Sequence, residues 1–102
     1  MTIGILGGNC SSEDYFLLDR KLNELIEIKG TYLFNILCGK GSLGELWGKN
    51  NGAGVQYFFG DFDGFIKRID YAFVFQNAGV SFNPVLAKLK KENVHGTVII
   101  RS

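Results

Sequence analysis

Glycines at positions 39, 41 and 44 spell G-x-G-x-x-G, with Lys40 inside the turn and Ser42 and Glu45 closing it. A glycine turn between an apolar run and a helix start lets backbone N–H groups and the helix N-terminus face an anion, usually a phosphate. Lys40 would neutralise charge there, Ser42 would donate a hydroxyl, and Glu45 would accept from ribose hydroxyls or act as a base. Each also has an ordinary reading: an exposed loop lysine, a helix N-cap and an acid favoured in a first helical turn. A second stretch of this type, Gly7-Gly8-Asn9-Cys10-Ser11-Ser12, follows the first apolar run, and Gly79 and Ser81 lie in a third polar loop.

Other reactive residues carry less. In a dinucleotide-binding domain the glycine fingerprint follows the first strand and opens a robust helix; here it follows the second and opens a helix weakened by Gly44 and Gly48. Asp61 falls near the spacing of about 20 residues at which an acid meets ribose hydroxyls. The chain has no second domain to hold a hydride acceptor. Cys10 and Cys38 end strands expected to be neighbours, so their thiols could approach. With one histidine, His95, and no further cysteine, a zinc site lacks ligands. His95 is expected between the last helix and last strand, far from the glycine loops and without a paired carboxylate for Ser–His–Asp or Cys–His chemistry.

The elements that must position these residues alternate along the chain. Apolar runs at 3–6, 33–38, 55–59, 71–75 and 97–100 read as strands. Between them, Leu18, Leu22, Leu25 and Ile26 mark one face of a helix that starts near Ser11 or Ser12 and ends at Gly30. Shorter helices are expected over 42–51, after Asp61 with Phe62, Phe65, Ile66 and Ile69 on one face, and from Asn83-Pro84 to about Asn93. The two glycines of the second helix imply close backbone approach. Strand three is expected at an edge and the strand at 71–75 at the sheet centre. Connections too long for hairpins argue for a parallel sheet covered on both faces: an α/β fold, a three-layer α/β/α sandwich of Rossmann-like type, about five strands in order 3-2-1-4-5. Ligands of such sheets bind outside the carboxyl ends of the strands, where the three polar loops fall.

At 102 residues the chain is one domain, 1–102, and at 46% hydrophobic it can bury a core. A net charge of +1 offers no strong field for nucleic acid or anionic membrane. Lys88, Lys90 and Lys91 read as a solvated helix face. The sequence holds neither a membrane span nor a signal peptide, so a cytoplasmic location with reduced thiols is expected. Nine phenylalanines are many for this size. Phe58, Phe59, Phe62 and Phe65 are expected near one edge, as the interface of a homodimer.

A strand ending in Gly-Gly-Asn-x-Ser-Ser, a helix, and then a strand followed by G-x-G-x-x-G-x-Leu resembles the SLOG superfamily. That group contains lysine-decarboxylase-like phosphoribohydrolases, DprA-type proteins and small nucleotide-binding proteins. The resemblance extends over essentially the whole chain in element order. It matches the family's first loop to residues 7–12 and its second to Gly39, Lys40, Gly41, Ser42, Leu43, Gly44, Glu45 and Leu46. In the third loop Gly79 and Ser81 stand for the family's Gly and Thr, while the catalytic glutamate position falls on Pro84. Lys67 and Arg68 are the available substitutes for the family's substrate arginine. The resemblance implies a bound nucleotide or nucleotide derivative, with no cofactor required. Phosphate would lie on residues 39–44, Gly8, Asn9 and Ser11 on the other side, Gly79 and Ser81 closing the site, and Glu45 or Asp61 toward ribose. No catalytic apparatus is expected. Two alternatives stand beside this reading: a reduced nucleoside-monophosphate phosphoribohydrolase using Glu45, and a non-binding interaction module whose glycines only permit tight turns.

Overall fold

The computed structural model describes residues 1–30, 34–60, 62–79 and 83–101. Five strands alternate with four helices: β1 (Thr2–Leu6), α1 (Ser12–Lys29), β2 (Asn35–Cys38), α2 (Leu43–Asn50), β3 (Gly54–Tyr57), α3 (Phe62–Lys67), β4 (Tyr71–Asn77), α4 (Pro84–Lys91) and β5 (His95–Arg101). All strand pairs are parallel and the order is β3-β2-β1-β4-β5. This is the α/β Rossmann-like architecture and strand order expected from the alternation of elements.

The period-2 alternation of each strand divides the core into two halves. Ile3, Ile5, Ile36, Cys38, Phe73, Phe75 and Ile99 pack against α1 and α2, through Leu18, Leu22, Leu25, Ile26, Leu43 and Trp47. Leu37, Ala72 and Val74 pack on the opposite face against α3 and α4, through Phe65, Ile66 and Leu89. Two helices on each face complete the three layers.

Several expectations need adjustment. The sheet centre is β1, whereas β4 lies between β1 and β5. β1 reads as a shorter run because its middle residue is Gly4, yet that missing side chain is what admits the Phe65 ring, 2.6 Å from an added Cβ. β3 is an edge strand as expected, but it ends at Tyr57. β5 starts at His95, so that histidine belongs to the strand, opposite Tyr71 at the amino end of the sheet. Phe58, Phe62 and Phe65 do not form an exposed edge. They stack within the second half-core, with centroids 5.0 and 5.9 Å from Phe65, and only Phe59 of the four is exposed, at 76%. Apolar rings near an edge strand are drawn into the core when a helix crosses above them.

No helix is long and apolar enough to cross a membrane among the described residues. Lys88 is ion-paired with Asp63 on α3, while Lys90 and Lys91 are exposed.

Candidate functional site

The loops after β1, β2 and β4 share the carboxyl edge of the sheet. The chain runs from β1 outward through β2 to β3, then returns to place β4 on the other side of β1. The switch point, where crevices open in such sheets, therefore lies between β1 and β4. Gly8, Asn9 and Ser11 border it from one side and Gly79 from the other. Ser81 and Asp61 lie outside the described residues.

Both glycine loops close on a carboxylate of the helix that follows. Ser42 is the N-cap of α2, its Oγ accepting from the Glu45 amide at 3.5 Å. Glu45 turns back so that the Gly41 N–H donates to its Oε2 at 2.5 Å. Ser42 Oγ also donates to the Gly39 carbonyl at 2.5 Å. The arrangement is a reciprocal capping box whose acid reaches one residue beyond the cap. The first loop has a related form in which the acid reaches two residues beyond the cap: Ser11 caps α1 by accepting from the Asp14 N–H, and the Asn9 N–H donates to Asp14 Oδ2 at 2.7 Å. Asp14 is the one buried charged residue among those described. Asp14 lies in the first turn of α1, where the helix dipole favours an acid, and also holds the loop before it. The Ser-x-x-Asp spacing was the available signal.

The two loops meet where the Cys10 thiol donates to the Gly41 carbonyl at 3.6 Å. Cys10 and Cys38 are both free thiols. Burial pushes the Cys38 thiol up, against a hydrogen bond with Ser42 and with the Glu45 charge adding to the rise.

Glu45 is the most strongly perturbed acid of the site. Its hydrogen bond with Lys49, 2.8 Å from Oε1, and then that from Gly41 lower its pKa to about 2, with Tyr57 contributing a further bond. A carboxylate so well supplied with donors is ionised at neutral pH and weakly basic.

The glycines separate by cause. Gly41 has φ +76°, a left-handed turn position that L side chains rarely adopt. Gly44 lets α2 approach the sheet, since an added Cβ would lie 2.9 Å from Cys38 Cβ and 3.1 Å from Ile5 Cβ. This is the close approach that two glycines in a short helix implied. Gly39 has no such reason. Its φ is not left-handed and an added Cβ would meet open space. Lys40 beside it is exposed.

Other expected partners fall elsewhere. Lys67 ends α3, and Arg68 just beyond it donates to Gln56 of β3 at 3.4 Å. Among the described residues no group of three His, Cys, Asp or Glu could hold a metal ion. No known protein family, curated protein or solved structure matches the chain. The fold thus defines the class, a Rossmann-like domain, and no narrower family is shown.

Proposed function

We propose that this chain is a non-catalytic binding domain of SLOG type that seats a nucleotide or nucleotide derivative across the β1–β4 switch point. The observation that carries the proposal is Gly39. Of the glycines in the two turns beside the crevice it is the one that neither backbone conformation nor packing requires, and its bare surface adjoins Lys40 and the first turn of α2. The Gly41 N–H is already used by Glu45, which fixes the shape of the turn. Phosphate contacts then fall to Lys40 and to the Leu43 and Gly44 amides at the start of α2, which have no intrahelical partner. Gly8, Asn9 and Ser11 line the opposite wall and Gly79 closes the site.

The phosphoribohydrolase alternative is weakened by Glu45 itself, since a carboxylate held near a pKa of 2 is a poor proton acceptor at neutral pH. Release of free base from nucleoside monophosphates, abolished in Glu45→Gln, would restore that alternative.

A second reading has its own support. The Asn9 and Gly41 amides are both satisfied internally, as they would be in an interaction module whose glycines serve the turns alone. Thermal-shift and calorimetric titration with nucleoside mono- and diphosphates separates the two. A ligand at 100 times its dissociation constant adds about 2.7 kcal/mol of stability, and Lys40→Ala should reduce that gain while leaving the unliganded melting temperature unchanged. No shift with any nucleotide would leave the module.

A further inference from the structure

We infer that the free edge of β5, with the groove beside it, is a docking site for an extended acidic peptide strand contributed by another protein. β5 pairs with β4 and has no strand on its other side among the described residues, so its outward N–H and C=O groups present a template for a further strand. Sheets ordinarily blunt such an edge with proline, inward charge or a bulge. Residues 96–100 of this strand are Gly-Thr-Val-Ile-Ile, and its pairing with β4 runs in unbroken register over seven residues. Ile100 stands 61% exposed along it.

Beside the amino half of the strand lies a cleft of about 360 Å³, floored by Leu86, Leu89 and Val94, with Gly96 contributing no side chain to fill it. A strand laid on β5 would direct alternate side chains into that cleft, since successive side chains point to opposite faces. The main-chain edge therefore selects an extended segment, and the cleft selects an apolar residue within it. Charge selects the rest. The residues lining the cleft include the cation Lys90 and no acid, so carboxylates flanking the apolar residue are favoured and basic ones repelled.

The same lysine disfavours a second copy as the occupant. Residues 95–100 of a second β5 strand are His-Gly-Thr-Val-Ile-Ile and bring no acid to meet Lys90.

The test uses the full chain and a fluorescent peptide of about eight residues, alternating valine or isoleucine with glutamate, long enough to cover β5. Saturable anisotropy binding is expected, with slowed amide exchange along β5. Methylating the peptide's alternate amide nitrogens should abolish binding, because main-chain pairing is lost. Lys90→Glu, a surface change remote from the carboxyl-edge crevice, should weaken binding about ten-fold without altering the melting temperature, as should replacing the peptide's glutamates by lysine. Two results would overturn the proposal. One is absence of binding at millimolar peptide. The other is a concentration-dependent dimer whose β5 amides are protected without peptide, for then a second copy fills the edge. Neither bears on nucleotide binding, which the Lys40 titration tests separately.

Discussion

At the scale of single residues, the glycine turn is governed by carboxylates that the chain supplies itself. Glu45 and Asp14 each bond back to a loop amide, and each belongs to a Ser-x-x-acid unit that also caps a helix. Glu45 links the turn to pH. Its pKa is lowered from 4.5 to about 2 on folding, so the folded state gains stability that is fully present above pH 4.5 and is lost as pH falls toward 2. Acid unfolding followed by circular dichroism should show that loss in the wild-type chain. Glu45→Gln, which cannot titrate, should be less stable at pH 7 and should lose less between pH 4.5 and 2. Gly44→Ala should cost about 1–3 kcal/mol by denaturant titration, because the new Cβ overpacks against Cys38 and Ile5. The need for glycine at 44 was legible from its place inside a helix. The Ser-x-x-Asp spacing marked Asp14 as a first-turn acid, but which loop amide it holds depends on the path of residues 7–10.

At the scale of elements, α2 is a helix of eight residues that intrinsic propensity does not support, with Gly44 and Gly48 each costing about 1 kcal/mol relative to alanine. Packing offsets that cost. Trp47 is buried, stacks on Phe34 at 5.9 Å and donates its indole N–H to Asp19 of α1 at 2.9 Å. Trp47→Ala should therefore destabilise by about 3–5 kcal/mol in urea unfolding. Trp47→Phe should cost less, since it keeps most of the ring volume and gives up the bond to Asp19. The period of Leu18, Leu22, Leu25 and Ile26 sufficed to place α1, because one continuous apolar stripe has one solution. Strand limits were less legible: whether Phe58 and Phe59 extend β3 depends on how far β2 runs beside it, and β2 ends at Cys38 opposite Tyr57.

At the scale of the whole molecule, the sheet is graded from a buried centre to two edges. β1 is covered by strands on both sides and by half-cores on both faces. Native-state hydrogen exchange should show its amides among the slowest, with β3 faster, because edge amides open without disrupting both half-cores. Comparable protection in β3 would mean that this edge is covered in solution. Of the four phenylalanines expected to join two copies, Phe65 is buried, Phe58 and Phe62 are half-buried against it, and Phe59 is exposed. The remaining edge, β5, has the opposite character: long, uncharged along its middle and bordered by a cationic cleft.

By itself the sequence determined the alternation of five strands with four helices, the parallel sheet and its order. Those follow from hydrophobic period, connection length and the handedness of crossovers, all of which are local or combinatorial. It also located the glycine turn at the carboxyl edge. Tertiary structure alone decided which amide of that turn is bonded internally, since Glu45 could face solvent or the Gly41 N–H with the same residue at the same position. It likewise decided that Phe65 is buried and that Phe58 and Phe62 pack against it. Each of these turns on which surfaces meet across the sheet, and contacts between residues distant in the chain leave no periodic trace in it.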